Sequence, residues 1–160
     1  MKNDGSQSTI QDKIRALAEK IPGLSGYLDE EGVRDKDKAL RDVLSAEIER
    51  VIRRIAHLQG KIVEKGGLQE IGLMERSVQR LERLRDAIRH ASYGFKGSTD
   101  ALYTFDLSIV EAVHELTDLV SGPLTLSRDG ALSKVFLEEL SRTVERLEVR
   151  WEERSGAMGR

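Results

Sequence analysis

LRDVLSAEIERVIRRIAHLQGKIVEKGG, residues 40 to 67, decides the fold. Its apolar positions Leu40, Leu44, Ile48, Val51, Ile55, Leu58 and Ile62 are separated by 4, 4, 3, 4, 3 and 4 residues. That rhythm lies close to the 3.5-residue period of helices packed side by side. It predicts one long helix from Val33 to Lys65, about 50 Å at 1.5 Å per residue. Gly66 and Gly67 then supply a C-cap and a tight turn.

The same reasoning extends outward along the chain. Ile71, Met74, Val78, Leu81, Leu84, Ile88 and Ala91 predict a second long helix from Leu68 to Ser92, antiparallel to the first across the Gly-Gly turn. A further helix is expected to start between Ala101 and Phe105 and to reach Val120, where Ser121-Gly122-Pro123 breaks it. The last is expected from Asp129 or Gly130 to Arg154, on the stripe Leu132, Phe136, Leu140, Val144, Leu147 and Trp151. A short helix from Ser8 to Lys20 carries Ile10, Ile14 and Leu17; Pro22-Gly23 ends it, and residues 23–32 read as a loop. No strand-like alternation appears. Each stripe must be buried against the others. The reading is all-α: an up-down antiparallel helical bundle of four long helices with a short N-terminal helix. It forms one domain over residues 8–154, with disordered ends at 1–7 and 155–160.

Composition narrows the function classes. The formal net charge is −2 with 26 basic and 28 acidic residues, both signs interspersed, which speaks against a general nucleic-acid binder. The chain has no cysteine, which removes disulfides, thiolate metal sites and cysteine nucleophiles. No apolar run approaches a membrane span, and no signal peptide opens the sequence. The expectation is a cytoplasmic protein.

Aromatic residues are few, yet four of the seven fall in HASYGFKGSTDALYTFD, residues 90–106. In up-down order Tyr27, Tyr93, Phe95, Tyr103, Phe105 and Trp151 collect at one end of the bundle, with Phe136 at the other. Such a cluster reads as a structural plug, with a partner-docking end and a small-molecule pocket as the other readings. Gly94 and Gly97 suit a sharp turn there. Asp106 lies near a helix start, where a carboxylate meets the positive end of the helix dipole. It is expected to lock onto Arg34, Arg41 or Arg89, with a ligand-binding role as the lesser reading.

IPGLSGY, the charged segment RDKDKALRDVL, YGFKG and LYTFDLSIVEAV together resemble a group of uncharacterised prokaryotic helical proteins. Those proteins carry PGxxGY, a charged helix, a YG-aromatic-xG turn and a YxFDL helix start in this order. The resemblance covers residues 21–113. It implies a helical fold with a common corner at Tyr27, Tyr93, Gly94, Gly97, Tyr103, Phe105 and Asp106. It implies no activity, cofactor or catalytic residue.

Chemistry is sparsely signalled. Glu111 and His114 form one Glu-x-x-His, but a di-iron bundle needs two such pairs and two further glutamates. Val110, Val113 and Leu116 read as the buried face, which leaves Glu111 and His114 on the flank. No Gly-x-Ser-x-Gly or phosphate-binding loop is present. Residues 41–96 carry twelve basic and eight acidic side chains, and residues 98–121 carry five acidic and no basic ones. Arg76, Arg80 and Arg83, and Arg50, Arg53 and Arg54, therefore read as solvated faces or as partners of the acidic helix, with an anionic partner as the alternative.

The resulting expectation is a non-enzymatic interaction or scaffold module with no cofactor and no metal. It would form a homodimer, or dock a helical partner, through the hairpin at residues 33–92, whose apolar seam overhangs the shorter helices. The rivals are a metal-binding or enzymatic bundle centred on Glu111, His114 and Asp118, and a small-ligand sensor at the aromatic end.

Overall fold

The computed structural model describes residues 4–64, 66–92, 99–122 and 134–157, with side chains from Thr9 and, in the fifth helix, from Ala101. The described residues form six helices and no strand: α1 (Asp4–Ala18), α2 (Leu24–Asp29), α3 (Val33–Val63), α4 (Leu68–Arg89), α5 (Thr99–Ser121) and α6 (Lys134–Ala157). Tyr93, Gly94, Phe95, Gly97, Pro123 and the expected helix start at Asp129 or Gly130 lie outside the described residues.

The seam decides how α3 is used. Leu40, Leu44, Ile48, Val51, Ile55, Leu58 and Ile62 are all buried, and Met74, Leu81 and Ile88 of α4 are buried with them. The turn between them is built by its glycines. Gly66 adopts φ +82°, in the left-handed region that suits glycine. The amides of Gly66 and Gly67 close the helix on the carbonyls of Val63 and Ile62 at 3.0 and 3.2 Å. A Cβ at Gly67 would lie 2.5 Å from Cγ2 of the buried Ile62, so the second glycine is required by packing.

α3 packs against α2, α4 and α5, and α6 packs against α4 and α5, so the long helices lie side by side as a bundle. α1 rests on α5 and α2. α5 is therefore surrounded, and Ile109, Val110, Ala112, Val113 and Leu116 are all buried. Ion pairs tie neighbouring helices together: Arg85 to Glu49 at 2.5 Å joins α4 to α3, Arg80 to Glu148 joins α4 to α6, and Arg146 to Glu115 joins α6 to α5.

Four expectations change. Residues 24–29 form a helix rather than a loop, because Leu24 and Tyr27, three positions apart, share a face that is buried. α1 begins at Asp4 and α6 runs on to Ala157, past the expected ends at Ser8 and Arg154, and Arg154 and Ser155 are buried. The overhang is narrower than expected: α4, at 22 residues, is no longer than α5 or α6, at 23 and 24, and only α3 reaches 31. Arg54 donates to the Val120 carbonyl at 3.0 Å, so the stretch from Arg54 to Val63, roughly 14 Å of helix, runs past the end of α5. Its seam residues Ile55, Leu58 and Ile62 are buried within the chain, so it presents no bare seam. Finally, among the described residues no arginine of α4 pairs with an acid of α5; α6 stands between them, offering Glu148 to Arg80 and Arg146 to Glu115.

Candidate functional site

The start of α3, the start of α5, the end of α6 and the short α2 meet at one end of the bundle. Tyr27 is fully enclosed, and Tyr103 and Trp151 are buried; Phe105 is half-buried. The Tyr27 and Tyr103 rings meet edge to face, 6.3 Å between centroids at 83°, a favourable aromatic geometry. Tyr93 and Phe95 lie outside the described residues.

A charged network runs through this corner. Asp106 accepts from the Tyr27 hydroxyl at 2.5 Å and from Arg154 Nε at 2.7 Å. Arg154 reaches across the bundle with its Nη2 to Asp37 Oδ1 at 2.8 Å. Asp37 also accepts from Arg41 Nε at 3.0 Å, and Arg41 Nη1 donates to the Arg89 carbonyl at 3.3 Å. Two carboxylates thus face two guanidiniums, and Asp37, Asp106 and Arg154 are each at most 1 % exposed. Arg154 also lies 5.6 Å from the Trp151 ring.

Lys36 completes the corner. Its Nζ donates to the carbonyls of Tyr27 and Leu28, both at 3.2 Å, and lies 5.3 and 5.5 Å from the Tyr27 and Tyr103 ring centres. The ammonium therefore binds carbonyls at the end of α2, that of Tyr27 alongside the Glu30 amide, and pins that helix to α3.

The expected partner of Asp106 is corrected: it binds Arg154 and Tyr27, not Arg34, Arg41 or Arg89. Arg41 joins the same network, but through Asp37.

Burial sets the proton chemistry. It pushes the Tyr27 hydroxyl well above the ordinary phenol range, and the neighbouring Asp106 charge adds to the effect. Burial also raises Asp106, against the opposing pull of Arg154 and of the Tyr27 hydrogen bond. Burial disfavours the Arg154 cation, but Asp106 and Asp37 outweigh it and hold the group charged. Tyr27 is thus kept neutral as a donor. Stability from this hydroxyl is full below the unfolded phenol value near 10 and falls as pH rises beyond it, by about 1.4 kcal/mol per pH unit. Urea denaturation from pH 9 to 11 is expected to show that loss in the native chain, and Tyr27→Phe is expected to remove that share of the slope. Equal slopes would refute the assignment.

Elsewhere, His114 Nε2 lies 3.3 Å from Asp118 Oδ2, while Glu111 is exposed. Among the described residues no three metal-ligating side chains converge. His114 Nδ1 is buried without a hydrogen-bond partner among the described residues.

The opposite end of the bundle differs in character. Five large apolar side chains are exposed among the described residues, and four of them, Val63, Leu68, Leu73 and Val135, gather where α3 ends and α4 and α6 begin. No helix of the described residues is long and apolar enough to cross a membrane.

Lys36, Asp37 and Arg154 are not singled out by the sequence motifs, although a signal exists for two of them. Asp37 lies three residues before Leu40 and Arg154 three after Trp151, so each continues an apolar stripe with a charge. Compared with known proteins, the chain matches no family model, no curated protein and no solved structure.

Proposed function

We propose that the chain is a non-enzymatic helical interaction module that self-associates through the tip of the α3–α4 hairpin. The observation that carries this reading is the gathering of Val63, Leu68, Leu73 and Val135, 54, 75, 42 and 66 % exposed, at one end of the bundle. Side chains of this size exposed singly are ordinary, but four at the same end of a bundle favour an association surface. A second copy related by a two-fold axis would bury the same patch twice. The finer architecture we favour is an up-down bundle of the four long helices, in which the ionic corner holds one end rigid and leaves the other for docking. We also place the chain with the helical proteins that share its PGxxGY, YGFxG and YxFDL elements.

Native mass spectrometry and light scattering across a concentration series test this. The native chain is expected to dimerise, and Val63→Glu with Leu68→Glu is expected to be monomeric with unchanged helicity, because both side chains are exposed. A native monomer at high micromolar concentration, or a double variant that still dimerises, would overturn the proposal.

A further inference from the structure

α4 and α6 lie side by side but do not close completely. Near the apolar end they leave a slot of about 380 Å³, with Leu73 and Leu137 among its walls and Ser77 also lining it. The volume falls in the range of small-molecule sites. Arg80 closes the slot further down, where it spans the two helices, pairing with Glu148 and reaching Ser141 Oγ at 3.4 Å. Beyond that bridge lies a separate recess of about 220 Å³ lined by Leu84 and Trp151. The furrow is therefore interrupted, and a long helix cannot lie along it without breaking the bridge. From Leu73 to Arg80 it offers roughly 10 Å, two turns of α4.

Its charges are unevenly used. Glu148 neutralises Arg80, but Arg76 and Lys134, which flank the upper part, have no ion-pair partner within 4 Å among the described residues. Glu138 is the one acidic residue lining the slot, which leaves a positive surplus after the Arg80 pair is set aside. Apolar walls, a closed lower end and unpaired cations above suit one chemistry.

We infer that the slot between α4 and α6 binds a small anionic amphiphile: a short apolar chain between Leu73 and Leu137, with a carboxylate head at Arg76 and Lys134. The slot shares Leu73 with the proposed dimer patch, but the two are tested apart, because Val63 and Leu68, whose substitution tests dimerisation, do not line the slot. Calorimetric titration of the full chain with octanoate, octylammonium and octan-1-ol tests it. Octanoate is expected to bind saturably, one molecule per chain, and octylammonium at least about tenfold more weakly. Arg76→Gln with Lys134→Gln is expected to weaken octanoate about tenfold, as two partly exposed charge contacts allow, and to leave octan-1-ol unchanged. Ser141→Trp, at an exposed position lining the slot, is expected to block both. Absence of saturable octanoate binding, equal binding of octylammonium, or full octanoate affinity in either variant would overturn the assignment.

Discussion

Arg154→Ala is expected to lower the unfolding free energy by about 3–5 kcal/mol. The guanidinium lies between Asp106 at 2.7 Å and Asp37 at 2.8 Å, and all three side chains are almost fully enclosed. Removing it leaves the buried Asp106 with the Tyr27 hydroxyl as its remaining partner and Asp37 with Arg41, and water cannot replace the lost donor without opening the corner. The contrasting control is Arg15, whose pair with Asp12 is about two-thirds exposed on both sides; Arg15→Ala is expected to cost less than about 1 kcal/mol. A second comparison separates need from benefit. Replacing the network together, with Tyr27→Phe, Asp37→Leu, Arg41→Met, Asp106→Leu and Arg154→Met, leaves none of its charges stranded and is expected to regain most of the loss. Urea denaturation followed by circular dichroism measures all three. A cost below about 1 kcal/mol for Arg154→Ala would mean that the corner does not hold the bundle end.

Tyr27→Ala is the other large effect, again about 3–5 kcal/mol. The side chain is fully enclosed, and its ring meets Tyr103, its face lies near Lys36 Nζ, and its hydroxyl serves Asp106. Alanine empties the ring's volume and removes the hydroxyl together, whereas Tyr27→Phe removes only the hydroxyl, at about 1–3 kcal/mol. Most of the alanine cost is expected to fall locally. Hydrogen exchange should accelerate over Leu24–Asp29, because Tyr27 and Leu24 are the buried residues that attach α2. Equal acceleration in α4 would show instead that the whole bundle depends on this ring.

Much of the fold is legible in the sequence because helix periodicity is a long, redundant signal. The seam from Leu40 to Ile62 states one fact seven times, and a single misread position does not erase it. The short α2 is harder, since six residues hold less than two turns and Gly26 weakens the local preference. The corner was legible only in part. Tyr27, Tyr103 and Asp106 could be placed at one end from the order of the helices. Asp37 and Arg154 are hidden because each apolar stripe ends before them. A charge at the next stripe position marks either the edge of burial or a buried ion pair, and only the partner on another helix decides between them. The pairing of Asp37 with Arg154 spans 117 residues, beyond the reach of any local pattern.

Arg154 also bears on the order of events in folding. Within α3–α4, and again within α5–α6, the packed residues lie near one another along the chain, so each pair can form early with little loop-closure cost. The bridge from Asp37 to Asp106 through Arg154 needs both pairs in their final positions, so it is expected to form late. Weakening it is then expected to leave the folding rate nearly unchanged and to appear as faster unfolding in stopped-flow measurements. On that expectation the corner sets how long the native state lasts once formed, and a single guanidinium governs kinetic lifetime separately from the helical seams that guide assembly.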